Sequence, residues 1–236
     1  MTYLRIKMKK EKSNFKNIFD GSTILIRCLS GLALGCFFIV AIFVLRPLFY
    51  AAIYSIAAVM LFEWYSMTKT SIYHNLVGLL AIPISIASLL LISYIDKTGW
   101  LLMTFFCIIW SVDVMAMFGG KLVGGPKLAP KTSPHKTISG LVIGVSSAII
   151  SVNILTLIPG YKLPYMVDES NISLSFFALI IGVIAQISDL SVSLFKRKFK
   201  IKDTGTIIPG HGGALDRFDS IILTAPVIAL YLLNNV

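Results

Sequence analysis

The chain has 236 residues, 56% of them hydrophobic and only 14% charged, with a mean hydropathy of +0.85 and a formal net charge of +10. A water-soluble domain carries about 25% charged residues, so a soluble fold is excluded. A closed β-barrel is set aside as well, because its strands would alternate apolar and polar residues over segments of about ten, whereas the runs here are apolar on every face.

Residues 1–23 form a basic segment that includes Arg5, Lys7, Lys9, Lys10, Lys12 and Lys16. It is too long for the n-region of a cleaved signal and no small-x-small site closes it, so the first span is expected to stay. Seven helical spans are predicted in chain order, at 24–45, 47–66, 72–95, 99–119, 138–158, 172–193 and 218–235, close to the roughly 17 to 25 residues that cross a bilayer. The count rises to eight or nine if 70–95 or 100–120 is broken into shorter pieces. The predicted fold class is all-α, a polytopic integral membrane bundle. Cys28, Cys36 and Cys107 fall in apolar runs without metal-ligand spacing and read as small buried hydrophobes.

Alternation of the loops puts eighteen Lys and Arg on the side of the N-terminus and leaves Arg46, Lys97 and Lys162 opposite. By the positive-inside rule the N-terminus is cytoplasmic and the C-terminus outside. The net positive charge comes without base-stacking aromatics or a nucleic-acid-reading fold, so it speaks for a bilayer surface and against nucleic acid.

A carboxylate in hydrocarbon is costly and marks a site or a buried pair. Asp113 and Asp189 sit about two turns inside the cytoplasmic ends of the fourth and sixth spans. Asp216 and Asp219 open the seventh, and Glu63 closes the second. Four helices thus bring acids to one face of the bilayer. A transporter would rather show repeated halves with broken helices at the midplane.

Two long loops join these helices. Gly119 to Gly140 reads GGKLVGGPKLAPKTSPHKTISG, whose glycines can point several N–H groups at one anion and whose lysines add charge. Its Ser133-Pro134-His135-Lys136-Thr137 stretch opens a span, which puts those amides at a helix N-terminus, a place that favours anions. Ser193 to Ser220 reads SLFKRKFKIKDTGTIIPGHGGALDRFDS. Asp216 and Asp219, three apart, share a face suited to a divalent ion. Gly210-His211-Gly212-Gly213 supplies a donor-rich turn, in which His211 is either a general base or a structural residue. Scattered His and Cys exclude the usual zinc ligands.

This second segment resembles the motif of the phosphatidate cytidylyltransferases (CDP-diacylglycerol synthases), approximately S-x-x-K-R-x4-K-D-x-G-x3-P-G-H-G-G-x-x-D-R-x-D. Every fixed position is matched, by Ser193, Lys196, Arg197, Lys202, Asp203, Gly205, Pro209, Gly210, His211, Gly212, Gly213, Asp216, Arg217 and Asp219. The upstream loop is similar to the family's A-P-K-x-S-P-K-K-T-x-E-G, and the resemblance runs over about residues 110 to 220. Four positions depart: His135 replaces a lysine, Ser139 a glutamate, Ser188 a glycine and Val192 a second glutamate.

The resemblance implies transfer of the cytidylyl group of CTP to phosphatidate in phospholipid biosynthesis, giving CDP-diacylglycerol and pyrophosphate. It implies Mg2+ held by Asp189, Asp216 and Asp219, with room for a second monovalent or divalent cation, and Asp113 as an auxiliary carboxylate. Lys196, Arg197 and His211 join the three acids as catalytic residues. Ser133, Lys136, Lys202, Asp203, Gly210, Gly212, Gly213 and Arg217 would bind the phosphates. Residues 24–110 are then N-terminal helices, and 111–236 the catalytic region with cytoplasmic loops 119–137 and 194–217. The expected partners are CTP, phosphatidate and the bilayer of the inner (plasma) membrane, with a homodimer left open. A relative that charges another lipid phosphate, or an inactive paralogue, are the competing expectations.

Overall fold

The computed structural model describes residues 21–205 and 212–235, the backbone alone at 21–30 and 32. The basic segment 1–20 and the site positions Gly210 and His211 lie outside the described residues. Among the described residues, eight helices and a two-stranded hairpin follow one another: α1 (Gly21–Phe43), α2 (Arg46–Thr68), α3 (Ile72–Ile95), α4 (Trp100–Leu122), β1 (Lys127–Ala129), β2 (Ser133–Thr137), α5 (Ile138–Leu155), α6 (Asn171–Lys198), α7 (Leu215–Phe218) and α8 (Ile221–Leu233).

Helices α2 to α6 are long and apolar enough to cross a membrane, while Ala33–Phe43 of α1 and the whole of α8 are shorter apolar helices. Both regions that might have broken in two, 70–95 and 100–120, are single continuous helices. The outer surface carries large apolar side chains such as Leu80, Ile150 and Phe176, as hydrocarbon surroundings allow. Cys36 is on that outer surface and Cys107 is half-buried, so the expectation of uniformly buried thiols is corrected. An apolar span has no need to hide a small hydrophobe from lipid. The side chain of Cys28 lies outside the described residues.

The core centres on α4, where Leu101, Phe105, Phe106, Ile108 and Val112 are buried. Its closest neighbour is α5. Gly140 and Gly144 let the two backbones approach: a Cβ on Gly140 would lie 2.5 Å from the Ala116 carbonyl oxygen, and one on Gly144 2.9 Å from the Ala116 side chain. Such small-residue contacts are how helices associate where lipid offers no hydrophobic drive. The short α8 packs on α3. Pro226 removes an N–H and so strips the Ile222 carbonyl of its helical partner; Ser85 of α3 donates to that carbonyl at 2.6 Å.

At one end of the bundle the connections are tight. Buried Asp96 accepts from the Gly99 and Leu102 amides, each at 2.9 Å, and from the Thr98 hydroxyl. Arg46 donates to the Ser93 and Asp96 carbonyls, and Thr98 to that of Lys162. These contacts gather the 44–46, 96–99 and 156–170 connections at one end, leaving the long loops at the other.

The first of those loops departs from an all-helical chain. β1 and β2 pair antiparallel, Lys127 with Thr137 and Ala129 with Ser133. The Ser133–Thr137 stretch is therefore a strand and not the first turn of a helix, which corrects the expected anion site at its amides. Pro134 fits an edge strand that has no third partner. Only Thr137 caps, its Oγ1 accepting from the Gly140 amide at 3.0 Å.

Candidate active site

Four polar residues on α6, Gln186, Asp189, Ser193 and Lys196, are spaced by three, four and three, which places them along one helical face. Each meets a different element. Lys136, projecting from β2, donates to Gln186 Oε1 at 3.0 Å and forms an ion pair with Asp189. Ser193 donates to the other oxygen of Asp189 at 3.2 Å. Gln186, buried, reaches on through Nε2 to Asp113 Oδ1 of α4 at 3.4 Å. Near the end of α6, Lys196 donates to Asp216 Oδ1 of α7 at 2.7 Å, with both side chains at most one-tenth exposed.

Asp216 has further donors. The amides of Thr204 and Gly213 reach its Oδ2 at 2.8 and 3.0 Å. Burial works to raise this carboxyl, but the Lys196 ammonium and the two amides outweigh it and hold the group below its ordinary 3.8. Asp219 follows α7 and is buried; its Oδ1 accepts from the Ser220 amide at 2.8 Å. Its backbone carbonyl is held by Ser188, whose hydroxyl also accepts from the Leu223 amide. Ser188 thus stands between two groups that a regular helical turn would join directly.

These side chains surround a cavity of about 1120 Å³. Its polar part is lined by Asp113, Asp189, Asp216 and Asp219 together with Lys121, Lys127, His135, Lys136, Lys196, Asp203 and Arg217. Its other part runs between α1, α2 and α4, along Gly31, Leu34, Gly35, Phe38, Val59, Trp110 and Val114. The cavity is polar and basic at the loop end and apolar toward the bundle's flank.

The charges of Asp113, Asp189 and Asp219 repel one another, offset by Lys136, Lys196 and Arg217. Among the described residues no three His, Cys, Asp or Glu side chains stand close enough to enclose an ion as they are placed. The donors nevertheless fit a hard cation: all are carboxylate oxygens, from three helical segments, crowded in a site of low dielectric where added positive charge relieves repulsion. Asp189 and Asp219 fit that task better than Asp216, whose two oxygens already accept three donors.

The remaining sequence-selected positions are more dispersed. Arg197 is exposed, off the cavity wall, and donates to the Thr132 carbonyl at 3.0 Å and the Ile201 carbonyl at 3.2 Å, tying the hairpin turn to the end of α6. Ser133 and Lys202 are also off the wall. Asp203 is an exposed part of it. Gly212 has a φ of +86°, which favours glycine, and the Gly213 amide is one of the donors to Asp216. Glu63 is buried near the end of α2, away from the cavity, with its carboxylate against the second loop.

Of the departures, His135 lines the cavity. Ser139 and Val192, standing where the motif has acids, do not: Ser139 braces the hairpin base at the Gly124 carbonyl, and Val192 is in the core. Gln186, Lys121 and Lys127 were not singled out by sequence. Gln186 was findable, because it continues the stripe of Asp189, Ser193 and Lys196 by one step of three.

The chain is similar to known proteins. The sequence profile of the Cytidylyltransferase family matches residues 70–234. The chain is 48% identical over 221 residues to the phosphatidate cytidylyltransferase of Rickettsia bellii (strain RML369-C), an alignment that covers 94% of this chain and 96% of that protein. To the one of Rickettsia felis it is 51% identical over 209 residues, covering 89% and 92%. To that of Brucella abortus biovar 1 it is 37% identical over 159 residues, covering 65% and 55%.

Proposed function

The chain belongs to the phosphatidate cytidylyltransferase family, and from that premise we propose how its cavity transfers the cytidylyl group of CTP to phosphatidate, with CDP-diacylglycerol and pyrophosphate as products. The observation that carries the reading is the cavity itself. It joins a wall of carboxylates and lysines to an apolar wall within a membrane bundle, as a reaction between a soluble polyanion and a lipid phosphate requires.

A phosphate oxygen of phosphatidate, anionic near neutral pH, attacks the α-phosphorus of CTP. A new P–O bond forms to the lipid phosphate, and the bond from the α-phosphorus to the oxygen bridging it to the β-phosphorus breaks. No strong base is needed. The chain must bring two polyanions into line and neutralise the charge that builds on the leaving pyrophosphate. Lys136 and Lys196 face the cavity on either side of the carboxylates, and Arg217, Lys121 and Lys127 extend the basic wall toward its mouth; these residues grip the phosphates. Asp189 and Asp219, with Asp113 behind them and Asp216 beside them, would hold magnesium, whose charge would stabilise the departing pyrophosphate.

We place the N-terminus and both long loops in the cytoplasm, where CTP is, with the C-terminus outside the inner membrane, and count α1 and α8 as two further spans. The charge asymmetry of the sequence supports that arrangement. Phosphatidate enters sideways, its acyl chains still in the bilayer and lying along the apolar wall. Arg197 and Ser133 then act from outside the cavity, by holding the hairpin beside it.

Detergent-purified protein given labelled CTP, phosphatidate and magnesium is expected to form CDP-diacylglycerol. Asp219→Asn is expected to abolish that product while leaving expression and folding intact. Full turnover by this variant would remove Asp219 from the site.

A further inference from the structure

Glu63 lies in a part of the chain that carries no motif, more than 130 residues before the loop it touches. It is 2% exposed. Its Oε2 accepts from the Thr204 hydroxyl at 2.9 Å and the Leu215 amide at 2.9 Å, and its Oε1 accepts from the Ala214 amide at 3.0 Å. Asp216 closes the same circle from the opposite side through the Thr204 and Gly213 amides. Two carboxylates therefore hold both ends of the loop, at 204 and at 213–215.

The loop's glycines record the same contact. Gly212 has a left-handed φ, but Gly205 and Gly213 do not, so backbone conformation does not explain them. Space does. A Cβ on Gly205 would lie 2.5 Å from Glu63 Oε1, and its three nearest atoms would all belong to Glu63; a Cβ on Gly213 would meet the Thr204 hydroxyl first and lie 2.5 Å from each Glu63 carboxylate oxygen. The Glu63 carboxylate fills the place of a side chain at Gly205, and together with the Thr204 hydroxyl it does so at Gly213.

We infer that Glu63 is a positioning residue for the transfer reaction: its carboxylate is the post that joins residues 204–205 to residues 213–215, and it thereby sets the places of Asp216, Arg217 and Asp219. This inference rests on the proposed function. The donors it collects are uncharged amides and a hydroxyl, so replacing the carboxylate by an amide of the same shape turns an acceptor into a donor facing N–H groups.

The test is a double-mutant cycle on the full-length protein in detergent. Gly205→Ala alone is expected to lower kcat/KM for CTP on the order of a hundredfold, the scale of an ångström misplacement near the reacting atoms. Added to Glu63→Ala, which has itself lost the post, it is expected to change little more, because the atoms it strikes are gone. Equal losses in both backgrounds would overturn the inference. Glu63→Gln, the gentler variant, is expected to raise KM for CTP and lower kcat while leaving KM for phosphatidate near that of the wild type. Amide hydrogen exchange reads the clamp without turnover: Ala214 and Leu215 are expected to exchange faster in Glu63→Gln. Exchange as slow as in the wild type would remove the clamp even if the chain charged some other lipid, whereas fast exchange with unchanged kinetics would remove its bearing on catalysis.

Discussion

The Lys196–Asp216 pair shows how a charged residue can be legible in sequence while its partners are not. Its members are almost fully withdrawn from solvent, so removing one leaves the other as an uncompensated charge, at a cost of about 3–5 kcal/mol. Asp216→Ala should therefore lower the thermal midpoint of the detergent-solubilised protein sharply as well as its activity, and a variant as stable as the wild type would deny the pair that role. Acid gives an independent check. The folded carboxyl lies below its ordinary 3.8, so its contribution is complete above the unfolded value and fades as pH falls through the lower folded one. As pH falls below about 4 the wild type should lose more stability than Asp216→Asn, followed by unfolding midpoints across a pH series. Equal acid sensitivity would count against it. The spacing of Asp216 to Asp219 suggests a shared ion; in the structure Asp216 accepts from one ammonium and two amides. Those donors come from Lys196, Thr204 and Gly213, and pairing across such distances leaves no local periodicity to read.

At the scale of elements, the helices were legible because hydrocarbon imposes length and apolarity directly on each span. Ile138 as the start of α5 and Phe43, Thr68 and Ile95 as helix ends fall within a few residues of expectation. The hairpin was not legible, since strands of three and five residues around a proline look like any Gly- and Pro-rich connector. It matters because β2 carries Lys136 and runs straight into α5. Gly140, one turn into that helix, meets the Ala116 carbonyl at 2.5 Å and the Gly120 Cα at 3.3 Å if given a Cβ. Gly140→Val must then push α5 from α4, costing about 1–3 kcal/mol as overpacking does, and must carry Lys136 away from Asp189. The expected result is a lower thermal midpoint with a raised KM for CTP. Ser85→Ala separates packing from positioning: it orphans the Ile222 carbonyl beside Pro226, worth about 1–3 kcal/mol, yet touches no cavity residue. It should lose stability while keeping KM for CTP, and a matched rise in both variants would show that KM reports only general loosening.

The whole molecule places a polar reaction centre beside a lipid-facing wall, and the acyl chains of the substrate must lie somewhere along that wall. The N-terminal helices offered no motif in the sequence because apolar contact with a hydrocarbon chain needs no particular residue. What marks their part in the cavity is a lack of side chain. Gly31 and Gly35, one turn apart on α1, border the cavity near Phe38 and Trp110, and a Cβ at either would meet nothing within 4 Å. Gly31 is exposed and Gly35 half-buried, so the open space beside them joins the cavity to the bundle's flank, where a lipid tail has room. Filling it with a larger side chain should therefore cost no packing energy and act only on the lipid. Gly35→Leu is expected to fold normally, to keep KM for CTP, and to lose turnover on long-chain phosphatidate while retaining it on a short-chain analogue that does not reach α1. Equal loss on both lipids would move the acyl chains to another wall, and unchanged turnover on both would show that α1 flanks the cavity without touching what it holds.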